Sequence, residues 1–499
     1  MAFILALDQG TTSSRAIVFD EQQRVLGSAQ TSFEQFFPRP GRVEHDPLEI
    51  WRSQFDVALK ALADAEINKT QISAIGITNQ RETTVVWDRR TGQPIYRAIV
   101  WQDRRTADLC DGMRNDGHEG GIQNATGLLL DPYFSASKIH WILDHCDGAR
   151  DLARAGHLAF GTIDTWLIWN LTQGQSHITD TSNASRTSLL NLQSQQWDAT
   201  MLDLWDIPQS MLPEVTHSSG KLAVCAISEL RDIPITGIAG DQQAALFGQS
   251  CFQAGEAKCT YGTGCFILLN TGEQPIRSRN RLLSTIAWTI DGKTEYALEG
   301  SVFMGGAVVQ WLRDGLEIIE RSEDVEALAA TVSDSDGVIF VPAFAGLGAP
   351  YWDPQARGTL LGLTRGTTKA HIARAALEGI VFQVTDVLRA MQNDTDGAVT
   401  SIKVDGGASA NDLLMQLQSD ALQIPLVRAS NPESTALGVA SLAGLAVGAW
   451  KSRDELRSIW QEHGKFLPLE NKEDMRRKTE RWSEAVTRTQ KWASSDDSE

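Results

Sequence analysis

Four stretches concentrate side chains able to hold a phosphoryl group or move a proton. Asp8-Gln9-Gly10-Thr11-Thr12-Ser13-Ser14-Arg15 sets a carboxylate, a glycine and hydroxyls between two apolar runs, Phe3 to Leu7 and Ala16 to Phe19. Ala257 to Tyr261 and Cys265 to Leu269 flank Gly262-Thr263-Gly264 in the same way, and such a hairpin turn exposes backbone N–H groups in a concavity that suits a phosphate. Ile235 to Ala239 ends in Gly240-Asp241 before a small, apolar stretch that closes at Gly248, which reads as strand, corner and helix. In an open α/β sheet a carboxylate at a strand's carboxyl end faces the ligand crevice; Asp also caps helices, and at Asp241 both readings stand. Ser401 to Val404 runs into Asp405-Gly406-Gly407-Ala408-Ser409-Ala410-Asn411, a strand, glycine pair and helix start that suit a phosphate or adenosine.

Other candidates lie where apolar runs stop. Ile72 to Thr78 ends just before Arg81-Glu82, Ala98 to Trp101 ends at Gln102-Asp103, and Asp131-Pro132-Tyr133 makes a turn before a helix ending near Asp144. Arg81, Glu82, Trp101 and Tyr133 together supply aromatic faces for carbon and charged groups for hydroxyls, which fits a small polyol. The adjacent Arg81 and Glu82 also read as an ordinary surface ion pair. Gly305, Gly306 and Ala307 precede Gln310, at a helix start that either approaches a ligand or packs tightly. Between Gly148 and Thr236 the chain reads as helical, polar structural filling without a catalytic signal.

The elements that must position these groups belong to more than one core. A chain of 499 residues is expected to form two α/β domains. The paired hairpins suggest a duplicated architecture with a nucleotide between the halves. The boundaries are placed at residues 1–248, 249–450 and a helical tail, 451–499, in which Met475, Trp482, Val486 and Trp492 share one side and Ser494 to Glu499 fray. A net charge of −18 disfavours nucleic acid, whose binding draws on Lys and Arg. The six cysteines show no C-x-x-C pairing and read as small buried hydrophobes. Without a basic leader or an apolar run of about 18 residues, the expectation is a soluble, cytoplasmic protein. No G-x-x-x-x-G-K-[ST] loop or protein-kinase H-R-D and D-F-G set occurs, so a nucleoside triphosphate would be held by the hairpins.

DQGTTSSR, YGTGCF and DGGASAN resemble the phosphate and adenosine motifs of the actin-like ATPase superfamily. Within it, YFSASKIHWILDH (Tyr133 to His145) and GTLLGLTRGTTKAHIARAALE (Gly358 to Glu378) resemble the two signatures of the FGGY carbohydrate kinases. TNQRET, WQDRRT, GDQQAALFG and GAPYWDPQARG extend the resemblance over Ile4 to Trp450. It implies two actin-like, ribonuclease H-like domains around an active-site cleft that closes over its ligands. The activity it implies is ATP-dependent phosphorylation of glycerol to sn-glycerol 3-phosphate with Mg2+. Arg81, Glu82, Trp101, Tyr133, Asp241, Gln242 and Phe266 would line the glycerol pocket, and Thr11, Thr12, Ser13, Arg15, Thr263, Gly306, Gln310, Gly407 and Asn411 would hold the nucleotide. Asp241 would be the general base, and Asp8, with Asp241, would act at the metal. A homo-oligomer, dimer or tetramer, is expected. Another sugar kinase of the family and an actin-like scaffold or chaperone remain as alternatives.

Some bacterial members of the family bind fructose 1,6-bisphosphate through a glycine-rich loop ending in arginine, just before the strand that leads to the catalytic Asp. The corresponding VCAISELRDIP (Val224 to Pro234) has no glycine pair, and Glu229 and Asp232 add negative charge that repels a bisphosphate. Only Arg231 would contribute. Millimolar fructose 1,6-bisphosphate is therefore expected to leave activity nearly unchanged; a saturating inhibition curve below that concentration would refute the reading.

Overall fold

A run as uniformly apolar as Phe3 to Leu7 suits a strand covered on both faces. In the computed structural model, which describes residues 2–493 except Asp396 and Ala398, it forms β1 (Phe3–Gln9). Leu5 and Leu7 face one core, with Val57 and Ala61; Ile4 and Ala6 face another, with Val439 and Ala443. β2 (Ser13–Phe19) and β3 (Val25–Ser32) continue antiparallel from it, while β4 (Ile72–Asn79) and β6 (Pro234–Gly240) lie parallel on its other side. β5 (Ser219–Val224) runs antiparallel beside β6.

The same order recurs in the second half. β7 (Ala257–Tyr261), β8 (Cys265–Gly272) and β10 (Lys293–Val302) form the antiparallel part, and β11 (Ile402–Asp405) and β12 (Leu426–Ala429) lie parallel beside β7. β9 (Leu283–Ile290) pairs with β10 and meets β5 at Ser219 and Ile290, so one sheet of 13 strands runs through both halves. The duplication read from the two hairpins is present as a repeated strand order.

Helices cover both faces. α1 (Pro47–Asp64) starts where Asp46 accepts from the Leu48 amide, with Pro47 in the first turn. Its buried stripe is Ile50, Val57, Ala58 and Ala61; Trp51 and Phe55 stack on each other half-buried. α2 (Ser135–His145) belongs to the insertion between β4 and β5, which has its own core around Ile139, Phe160 and Trp205. α3 (Asp241–Gly248) follows β6, α4 (Gly306–Asp314) follows β10, and α5 (Lys369–Asp394) is the long core helix of the second half. α6 (Asp412–Leu422) and α7 (Ser434–Ala446) follow β11 and β12.

After α7 the chain makes a short helix, Arg453–Ile459, then β13 (Glu462–Phe466) on the edge beside β12, then α8 (Lys472–Thr489). Met475, Trp482 and Val486 are buried as expected of the tail. Trp492 is 70% exposed, because α8 ends at Thr489 and the apolar side stops with it. The expected fraying of Ser494 to Glu499 lies outside the described residues. Among the described residues no helix is long and apolar enough to cross a membrane.

The halves meet where α3 and α7 cross. α7 comes from the second half yet packs on β1, β4 and β6, while α3 comes from the first and packs on β7 and β8. The backbones touch through Gly248 and Gly438: a methyl on Gly438 would overlap the carbonyl oxygen of Ala244, and one on Gly248 that of Ser434. Backbone atoms cannot swing aside as a side chain can, so overpacking is felt in full. Gly438→Ala should therefore lower the free energy of unfolding by about 2–3 kcal/mol despite alanine's better helix propensity. Urea denaturation measures this, and an unchanged midpoint would show that the crossing tolerates a side chain.

Candidate active site

Neighbouring parallel strands β4 and β6 end side by side, placing Arg81-Glu82 and Asp241 at one edge of the sheet. Gly240 has a local reason: a Cβ there would lie 2.7 Å from Cγ and Cδ of Arg81, so glycine lets the arginine stem pass. Glu82 adopts φ 59°, a left-handed conformation uncommon outside glycine, which its surroundings must hold in place. Ser135 Oγ donates to the Glu82 carbonyl at 2.9 Å. The turn carrying Tyr133 is fastened by buried Lys138, whose Nζ donates to the carbonyls of Pro132, Tyr133 and Phe134 at 2.5, 2.7 and 3.1 Å.

Beneath these residues four fully buried charges compensate one another. Glu299 of β10 receives Arg81 Nη1 at 2.5 Å and Nη2 at 2.9 Å, a bidentate pair, and Arg186 Nη2 at 3.0 Å. Arg186 Nε donates to Glu82 Oε1 at 2.7 Å. Two cations and two anions leave no net charge in the buried cluster, which is the condition for keeping ions out of water. Burial alone would raise the Glu299 carboxyl, but Arg186 and Arg81 outweigh it and hold its pKa at about 2. Burial also raises Glu82 above its ordinary value, against the pull of Arg186 and Arg81. Arg186 further lies 5.6 Å from the Tyr133 ring centroid and 5.4 Å from that of Phe134.

Asp241 sits above this cluster. The helix-cap reading fails: Gly240 is the N-cap of α3 and makes no side-chain cap bond, while Asp241 is already inside the helix. Its Oδ1 forms an ion pair with Arg81 Nε at 3.1 Å and accepts from the Gln242 amide at 2.8 Å. Oδ2 has no hydrogen-bond partner among the described residues, and the side chain is 31% exposed, so one carboxylate oxygen is oriented and the other is free to accept. Trp101 packs edge-on against Tyr133 and Phe266, with centroids 5.6 and 6.2 Å apart, which closes an aromatic wall. Gln242 is buried beside Asp241.

The hairpins border the same place. Asp8 lies in register with Arg15 across the first hairpin and with Thr78 on β4; burial, opposed by Arg15 and reinforced by Asp241, raises its pKa to about 6. Trp101 Nε1 donates to Thr11 Oγ1 at 2.9 Å, tying the aromatic wall to the first turn. Thr12 is exposed, Ser13 Oγ takes a bond from Gln30 at 2.8 Å, and Arg15 ion-pairs with Glu433 in front of α7. In the second turn, Gly305 N and Ala307 N donate to the Thr263 carbonyl at 2.8 and 3.1 Å, and Gly306 N to that of Gly262 at 2.8 Å, which docks α4 on the hairpin. Gln310 is exposed on α4. Gly406, at φ +84°, lies on the backbone of Tyr261, whereas Gly407 faces open space. Asn411 caps α6, its Oδ1 accepting from Leu414 N at 2.8 Å.

Arg81, Glu82, Trp101, Tyr133, Asp241 and Phe266 are thus brought together, with Asp8 and Thr11 alongside. The reading of Gly148 to Thr236 as filling is corrected by Arg186, which no local pattern distinguishes from a surface arginine. Glu299 and Lys258 were also missed: Lys258 is the one charge of its short strand, a detectable mismatch, whereas Glu299 shares its strand with Lys293 and Glu295 and is not singled out there. Removing the Glu299 charge leaves buried guanidinium charge uncompensated. Glu299→Gln should cost about 3–5 kcal/mol of stability at neutral pH, read from urea denaturation; a loss below 1 kcal/mol would mean that water or relaxation replaces the carboxylate.

Two family profiles match the chain: "FGGY family of carbohydrate kinases, N-terminal domain" over residues 3–248 and "FGGY family of carbohydrate kinases, C-terminal domain" over residues 257–447. A glycerol kinase from Trichlorobacter lovleyi is 59% identical across 99% of this chain and 100% of its own, and one from Deinococcus radiodurans 57% identical across 100% and 99%. The crystal structure of Plasmodium falciparum glycerol kinase with ADP superimposes with a TM-score of 0.92 at 38% identity, covering 98% of both chains. A xylulose kinase from Lactobacillus acidophilus shares the fold, with a TM-score of 0.88 at 24% identity over 98% of this chain and 97% of that one. With both profiles matched and relatives aligned from end to end, the chain belongs to the FGGY family of carbohydrate kinases.

Proposed function

We propose that the protein transfers the γ-phosphoryl group of ATP to a primary hydroxyl of glycerol, giving sn-glycerol 3-phosphate and ADP. One observation carries this reading. Asp241 holds a single oriented carboxylate with a free oxygen, among Arg81, Glu82, Trp101, Tyr133 and Phe266, beside two glycine turns. The aromatic faces take the carbon chain, and Arg81 and Glu82 donate to and accept from its hydroxyls. The named relatives support glycerol as the polyol.

In the reaction Asp241 Oδ2 takes the hydroxyl proton as the oxygen bonds to phosphorus and the bond to the β-phosphate oxygen breaks. Arg81, locked by Glu299, keeps the carboxylate from turning away. Thr11, Thr12, Ser13, Arg15 and Thr263 would hold the phosphates, and Gly306, Gln310, Gly407 and Asn411 the nucleoside; the open face of Gly407 leaves room for that approach. Mg2+ entering with the nucleotide would neutralise charge on the phosphoryl oxygens. Asp8 and Asp241 would face such an ion: Asp8 is buried, and burial with Asp241 raises its pKa to about 6 against the pull of Arg15. Mg2+ is commonly held by one or two carboxylates together with substrate phosphates and water, a set that these two residues and the nucleotide would supply.

Asp241→Asn should lower kcat by about 10²–10⁴-fold while glycerol still binds. ADP release is followed in a coupled assay with glycerol, a pentulose and gluconate, and calorimetry measures glycerol binding to the variant. Near wild-type turnover would remove Asp241 from the role, and turnover with a pentulose or gluconate but not glycerol would move the substrate elsewhere in the family.

A further inference from the structure

Lys258 is fully buried on β7, between the apolar neighbours Ala257 and Cys259. Its ammonium donates to Gln242 Oε1, to Thr260 Oγ1 at 2.8 Å and to the Phe266 carbonyl at 3.4 Å. None of these acceptors is charged. Burial holds Lys258 below the ordinary lysine range, with Asp405 and Asp241 among the groups opposing it. Its partners are also separated in the chain: Gln242 follows Asp241 on α3, whereas Thr260 and Phe266 face each other across the β7–β8 hairpin.

An ammonium has three donors and no acceptor, so it can meet only the oxygen end of a carboxamide. Lys258 therefore decides which way Gln242 is turned. We propose that Lys258 is a positioning residue for the phosphoryl-acceptor pocket: it fixes the Gln242 carboxamide with Nε2 as the outward end, making Gln242 a donor to a substrate hydroxyl oxygen, and ties that donor to the second phosphate hairpin. The inference rests on the reading of the Asp241 cleft as the acceptor site. A hydroxyl whose proton goes to Asp241 keeps lone pairs to accept a bond, so an amide N–H beside it is complementary and an amide oxygen would repel it. Without the lysine both orientations become accessible.

The test is a double-mutant cycle on the full-length enzyme, run with whichever polyol the wild type phosphorylates, so that failure with glycerol counts against the substrate reading and not against Lys258. Absence of turnover with every polyol would defeat both. Losing a bond from a charged donor should raise KM for the polyol about tenfold in Lys258→Met, with KM for ATP changed less than about twofold. In a Gln242→Met background the same substitution should add less than about twofold, because the amide it orients is gone. A lysine that serves only the fold would move both KM values together, or act equally in both backgrounds, and either result overturns the proposal. If Lys258→Met does not yield folded protein by thermal melting, Thr260→Val takes its place. It removes one acceptor isosterically, and a rise of about two- to threefold in polyol KM that vanishes in Gln242→Met supports the proposal. No rise, or one that persists, refutes it.

Discussion

Two guanidiniums and two carboxylates share a site from which water is excluded, and such a cluster holds only if each charge keeps its partner. Desolvating an ion costs several kcal/mol, which a well-aligned partner offsets and a misaligned one does not. Glu299 is the member on which the others converge, receiving both ends of Arg81 and one end of Arg186. Arg81 in turn holds Asp241. The geometry of the partly exposed carboxylate is therefore set through Arg81 by the buried ions beneath it.

This arrangement makes the pocket a product of the whole chain. Arg81 and Glu82 follow β4, Arg186 lies in the insertion, and Glu299 lies on a strand of the second half. The second half thus reaches beneath the Asp241 cleft through Glu299 as well as providing the second glycine turn. The crossing of α3 and α7 through Gly248 and Gly438 fixes the distance between the halves by backbone contact. Arg15 and Glu433 add an ion pair between the first hairpin and the residue in front of α7.

Orientation is divided between two kinds of interaction. Bidentate and multiple bonds to buried charges, as at Arg81, Lys138 and Lys258, fix polar groups to within a rotamer. Edge-on aromatic packing of Trp101 with Tyr133 and Phe266 shapes the apolar wall, and the bond from Trp101 to Thr11 couples that wall to the first glycine turn. The aromatic wall and the first glycine turn are thereby linked through a single side chain.

The sequence alone determined the local pieces. Apolar runs broken by acid, glycine and hydroxyls specify tight turns because only a few residue types tolerate that backbone and expose its amides, so both hairpins, the Asp241 corner and the Gly406–Gly407 turn were legible, and their repetition pointed to the duplicated fold. Motif order supplied the family. What only the tertiary structure decided was which charges meet. Arg186 stands 104 residues from Glu82 and 113 from Glu299, and nothing near it in the chain marks it as buried. Lys258 is the one charge of a short strand and Glu299 one of three in its own, but most of their partners come from elsewhere in the chain, and a charge in a low dielectric is defined by what faces it across the fold. Trp492 shows the converse limit: its spacing suited the buried side of α8, yet the helix ends at Thr489, and periodicity carries no information beyond the last helical turn.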